Sequence, residues 1–273
     1  MSERFLVCGD NEVREYEAAD GDRVEPEARW RWQAGKTAGL DDTSAQLFVN
    51  IDECKPVSGG RQVLITSSWK GGAGLIDRAD GVVRSCLASG NAHSAEMLPG
   101  SRLALASSEG RDLLTVHDLA GGSRPLYSDG LHHAHGAVWD EPRKLLWALG
   151  YHELRAYSLV RWETDQPSLV RNYTAKLPSE NGHDLAAVPD SSWLTVTTGR
   201  RVYLFDRDRR EFTPHPLLGE LSHVKAVSVN PRTGRIAYIL ADKGEWWSRT
   251  VRFLNPAGSL ALPDLHAYKV RWM

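Results

Sequence analysis

Four histidines, His93, His135, His183 and His223, each head a short apolar run: His93-Ser-Ala-Glu-Met-Leu-Pro99, His135-Gly-Ala-Val-Trp-Asp140, His183-Asp-Leu-Ala-Ala-Val-Pro189 and His223-Val-Lys-Ala-Val-Ser-Val229. They are 42, 48 and 40 residues apart. A fifth segment, Glu53-Cys-Lys-Pro-Val57, has a carboxylate at the same place. Neutral imidazoles and one carboxylate suit a borderline divalent ion such as Mn, Fe or Zn. His93, His135, His183 and His223 are therefore the candidate metal ligands. The plainer alternative is that a histidine at each repeat start is a fold device, its ring N–H bonded to a carbonyl of the next repeat.

Two residues further along, the register gives Lys55, Lys225 and Lys269. A cationic side beside imidazoles suits an anionic ligand such as a carboxylate or phosphate. For proton abstraction next to a carboxylate, His135, Lys225 and Lys55 are the candidate catalytic groups. Lys269, Glu53, His133 and Trp69 are the candidate substrate contacts. His133 belongs to the cluster His132-His133-Ala134-His135, and Trp69, like Trp246 and Trp247, is a loop aromatic able to stack on a sugar face. A lysine facing a channel can equally pair with Glu53 or Glu96. Asp184 and Glu96 read either as orienting or acid–base groups or as contact carboxylates. Lys70-Gly-Gly-Ala-Gly74 reads as a hairpin turn rather than a phosphate loop. The register sets no two acidic residues together on an axis, which disfavours a glycoside hydrolase.

What must position these residues is a series of short strands. Arg61–Ser67, Arg102–Ser107, Leu145–Leu149, Trp193–Thr197 and Arg235–Leu240 are β-rich and follow turn clusters such as Pro99-Gly-Ser101 and Asn230-Pro-Arg-Thr-Gly234. Each follows one of the apolar runs and precedes another strand, for example Leu114–Asp118 or Val202–Asp206, and then a weaker fourth. Four strands in 40 to 48 residues predict a β-propeller. At the start, Phe5–Gly9 and Val13–Glu17 read as second and third strands without a first. At the end, Ala267–Trp272 reads as a first strand without followers. Joined, they complete one blade and remove two sheet edges. The expectation is an all-β, six-bladed propeller, one domain over residues 1–273, with Gly35–Ser44 a longer loop and Trp162–Pro167 an insertion.

Composition agrees. The chain has 273 residues, 41% hydrophobic and 25% charged, which excludes disorder and a small disulfide scaffold. Lys and Arg number 33 against 35 Asp and Glu, a formal charge of −2, so neither nucleic acid nor an anionic membrane is an expected partner. The first residues lack a long apolar stretch, and no apolar run reaches the roughly 18 residues that span a bilayer. Three widely spaced cysteines make no disulfide set or metal pair, so a cytoplasmic protein with reduced thiols is expected.

Trp30-Arg-Trp32, the Asn91–Gly100 segment and the closing Tyr268-Lys-Val-Arg-Trp272 resemble an uncharacterised bacterial family of single-domain propellers, a domain of unknown function. The histidines at blade starts are more distantly similar to those of oligogalacturonate lyases. That resemblance implies a divalent metal held over the central channel and β-elimination on uronate oligomers. The function expected is a metal-dependent lyase or epimerase acting on an acidic carbohydrate or similar polar small molecule. Its rival is a non-catalytic propeller that binds a ligand or a protein on its mouth, with structural histidines.

Overall fold

The computed structural model describes residues 3–18, 24–36 and 40–273. Blade 1 holds β1 (Glu3–Gly9), β2 (Glu12–Ala18) and β3 (Trp30–Gln33). Blade 2 is β4 (Ile51–Val57), β5 (Gln62–Ser67), β6 (Gly72–Asp77) and β7 (Val83–Ala88). Blade 3 is β8 (Ala92–Leu98), β9 (Arg102–Ser107), β10 (Leu113–Asp118) and β11 (Tyr127–Gly130). Blade 4 follows with β12 (Gly136–Asp140), β13 (Leu145–Leu149), β14 (Glu153–Val160) and β15 (Ser168–Lys176). Blade 5 comprises β16 (Asp184–Ala187), β17 (Trp193–Thr197), β18 (Val202–Asp206) and β19 (Glu211–Pro214). Blade 6 comprises β20 (Val224–Val229), β21 (Ile236–Leu240), β22 (Thr250–Leu254) and β23 (Gly258–Ala261), and β24 (Ala267–Trp272) returns to blade 1. Each blade is a four-stranded antiparallel sheet, and blade 1 has the order β24-β1-β2-β3. The first strands touch in sequence around a ring, β4 to β8 to β12 to β16 to β20 to β24 and back to β4. The six-bladed propeller and its closure by both ends of the chain are thus as the sequence predicts.

The middle strands are apolar on consecutive residues because both faces of a blade are covered. Along β5, Val63 and Ile65 join Leu6, Val13 and Trp32 of blade 1, whereas Leu64 joins Leu103 and Leu105 of blade 3. Along β9, Ala104 and Ala106 face the other way, towards Ala137, Leu146 and Ala148 of blade 4. The closing seam is aromatic: the rings of Phe5, Phe253 and Trp272 meet at 5.1–6.0 Å. Gly9 is required there, since a Cβ would lie 1.9 Å from the carbonyl oxygen of His266. The long loop before blade 2 carries a short helix, α1 (Asp42–Ala45), capped by Asp41, and places buried Phe48 edge-on to Trp32. Residues 37–39 of that loop lie outside the described residues.

The inner strands carry a detail that constant repeat spacing hides. In β4, β8 and β20 the pairing slips by one residue at the top, leaving Asp52, His93 and Lys225 as extra residues; Tyr268 is the extra residue in β24. In blades 4 and 5 the corresponding residues sit just ahead of the strand: His135 and His183 donate their N–H groups to Leu149 and Thr197.

Candidate functional site

Those six positions form the ring at the mouth of the channel: Asp52, His93, His135, His183, Lys225 and Tyr268, one from each blade. All line one cavity of about 340 Å³, together with His133, Trp69 and Trp246 among others. The expected ring is corrected in two blades and extended in a third. His223 is exposed, in left-handed backbone (φ 60°) before β20, and does not line the cavity; Lys225 takes its place. Glu53 lies one residue too deep, beneath Asp52, and blade 1 adds a sixth member, Tyr268. For Glu53 the physical reason is the extra residue at the top of β4, which a fixed offset cannot count.

The imidazoles are close. His93 and His135 stack with centroids 3.9 Å apart and planes 21° from parallel, and His133 continues the stack at 4.4 Å from His135. His183 meets His135 edge-on at 5.4 Å. His135 Nδ1 lies 2.9 Å from the His133 carbonyl oxygen. A carbonyl only accepts, so Nδ1 carries the proton and Nε2 keeps its lone pair. Lys225 Nζ donates to His183 Nε2 at 3.2 Å. The Nδ1 atoms of His93, His133 and His183 are buried with no partner. Burial first, then neighbouring lysines and histidines, holds His93, His135 and His183 well below the ordinary imidazole range. Burial, reinforced by Lys269, lowers Lys225 to about 8. Asp52 moves the other way: burial raises it to about 7, although the Ser68 N–H donates to its Oδ2. Its Oδ1 is 3.8 Å from His93 Nδ1.

Beneath the ring lies a closed ionic floor. Arg271 Nε and Nη2 grip Glu53 at 2.9 and 3.1 Å, and Nη1 and Nη2 grip Asp184 at 3.0 and 2.6 Å. Burial alone would raise both carboxylates, but Arg271 and the lysines hold them below the usual range. Lys269 is wholly buried and donates to the His183 carbonyl at 3.0 Å and to Asp184 at 2.5 Å. Lys55 spends its three protons on the carbonyls of Ala95 and Ala137, at 2.9 and 2.6 Å, and on Glu96 at 2.9 Å. Lys55, Lys269 and Glu53 therefore do not reach the cavity, and the three floor cations are matched by Glu53, Glu96 and Asp184. Of the three lysines only Lys225 lines the cavity, and among the described residues it has no carboxylate partner.

Trp69 stands 72% exposed at the rim, with Trp246, 44% exposed, beside Tyr268 at 5.6 Å. Asp52 and Tyr268 were not among the residues that sequence reasoning selects. A signal for the first was present: Asn50-Ile-Asp52 and Asn91-Ala-His93 share a spacing, and all four polar residues line the cavity.

The donor set does not fit the divalent ion expected. Stacked rings send the in-plane lone pairs of His93 and His135 side by side rather than to one point, and Lys225 already occupies His183 Nε2. Among the described residues no three His, Cys, Asp or Glu side chains are placed to hold a metal ion.

A family model described as a family of unknown function (DUF6528) matches residues 19–273, which include all six ring residues. The chain belongs to this family. No curated protein matches. Two solved structures are similar to this DUF6528 member. One is a chain from the crystal structure of a nidogen/laminin complex, with TM-score 0.67, 14% identity, and 99% of this chain and 98% of that chain covered. The other is a protein of unknown function from Bacteroides caccae, with TM-score 0.66, 12% identity, and 100% and 99% covered. At such identities the likeness shows the fold alone. No helix among the described residues is long and apolar enough to cross a membrane.

Proposed function

We propose that the mouth binds a small carboxylate-bearing polar molecule, an acidic sugar in the first instance, and removes the proton next to its carboxylate, as in a lyase or epimerase. The observation that carries this reading is a base and a cation side by side: His135, with its Nε2 lone pair fixed by the His133 carbonyl, next to the His183–Lys225 pair. Lys225 takes the carboxylate. His135 Nε2 takes the proton, and the C–H electron pair passes into the carboxylate-stabilised enolate. An anion beside the ring supplies the charge that burial denies the imidazolium, so binding raises the basicity of His135 as it is needed. Asp52, raised by burial to about 7, is poised to give a proton to the departing oxygen in elimination. Trp69 and Trp246 offer faces for a sugar ring. Three free thiols accord with a cytoplasmic setting.

The test is deuterium uptake. Incubated with a uronate in heavy water, the protein should exchange the proton next to the carboxylate or form an unsaturated product, and His135→Gln should lower that rate at least 100-fold. A wild type that binds the uronate but exchanges nothing would leave the non-catalytic binding propeller as the reading.

A further inference from the structure

We propose that a second cavity, between blades 2 and 3, is a binding site for a tetrahedral oxyanion, the phosphate or sulfate group of a small molecule. It holds about 320 Å³ and is lined by Lys70, Arg111, His117, Ser89, Ser107 and Thr115 among others, with no carboxylate in its wall. The donors come from four directions: the β5–β6 turn, the segment after β7, the β9–β10 turn and β10 itself. A planar carboxylate is served from one side, whereas a tetrahedral anion uses donors all around it.

Lys70 and Arg111 are exposed, and neither makes a side-chain hydrogen bond or ion pair among the described residues. The floor is buried and polar. Thr115 Oγ1 lies 3.0 Å from His117 Nε2, and the buried His117 Nδ1 has no partner. With the Thr115 hydroxyl donating to Nε2, the ring keeps its proton on Nδ1 as a spare donor. Ser89 and Ser107 hydroxyls lie 3.3 Å apart; one donates to the other, which leaves the second O–H as a further donor.

The wall is rigid by construction. Ser89 and Gly90 N–H groups both donate to the Gly71 carbonyl, at 2.6 and 3.2 Å. A Cβ on Gly71 would lie 2.2 Å from Gly90 Cα, so the two backbones cross without side chains and fix Lys70 against Ser89. The same two segments send Trp69 and Asn91 to the mouth cavity. The site does not depend on the chemistry proposed for the mouth.

The experiment titrates inorganic phosphate, glucose 6-phosphate and glucose into the full chain, read by calorimetry and by the His117 ring proton signals. Both phosphates should bind saturably and shift His117, and glucose should do neither. The double variant Lys70→Gln/Arg111→Gln alters only exposed residues; with its melting temperature unchanged, it should bind phosphate at least 10-fold more weakly. Lys225→Met should leave phosphate binding as it is. No saturable binding by the wild type, unaltered binding in the double variant, or loss in Lys225→Met instead would each overturn the site.

Discussion

The same burial pushes Asp52 and the ring histidines in opposite directions. Asp52 rises to about 7, so its stabilising contribution is complete below the ordinary carboxylate pKa and lost as pH rises through 7. His93, His135 and His183 are lowered, so theirs is complete above the ordinary imidazole pKa and lost as pH falls through the lowered values. Between about pH 5 and 6.5 the folded chain holds one extra proton at Asp52 but lacks those that three unfolded histidines take up. Three groups outweigh one, and stability should rise with pH there. Thermal melts should show the midpoint falling on the order of 5 °C from pH 6.5 to 5.5, and Asp52→Asn, which removes the opposing contribution, should steepen the fall. A midpoint that stays flat would mean the imidazoles are not held neutral. The histidines of blades 3, 4 and 5 were legible in the sequence because a histidine at a blade start is rare enough to notice. Tyr268 was not, because tyrosine on an inner strand looks like core.

At the scale of elements, the second and third strands of each blade announce themselves by apolar runs between turn clusters, and they occur where expected. The inner strands were found too, but their register was not: the ring residue of β4 lies one place before the expected Glu53, and that of β20 two places after the expected His223. The floor shows what that register does. Arg271 on β24 ties Glu53 of blade 2 to Asp184 of blade 5 across the axis, a pairing of acids that repeat spacing did not reveal. Arg271→Met keeps most of the bulk and leaves two buried carboxylates without their main partner. Removing one member of a buried ion pair costs about 3–5 kcal/mol, and equilibrium unfolding in urea should show a loss of that order. A loss below about 1 kcal/mol would mean that Lys55 and Lys269 alone balance the floor.

For the whole molecule, closure of the ring and closure of the floor act together. Arg271, Lys269, Glu53 and Asp184 are buried and paired with one another beneath the ring, so the mouth is the expected way in for a ligand. A cavity of about 340 Å³ lies at the small end of ligand sites, enough for one or two sugar rings but not a long chain. The floor charges cancel, which leaves Lys225 as the unmatched cation at the mouth of a protein whose formal charge is −2. Two consequences can be read in one calorimetric series. A monomeric uronate should bind, lengthening it to an oligomer should improve affinity less than about threefold, and added salt should weaken it. Lys225→Met retains the aliphatic stem and removes the charge, so it should weaken the uronate at least 10-fold and its neutral sugar counterpart less than twofold. Should the oligomer bind far more tightly than the monomer, the ligand extends over the rim and the cavity is only its anchor. Should acid and neutral sugar lose equally in the variant, Lys225 holds the shape of the mouth rather than a carboxylate.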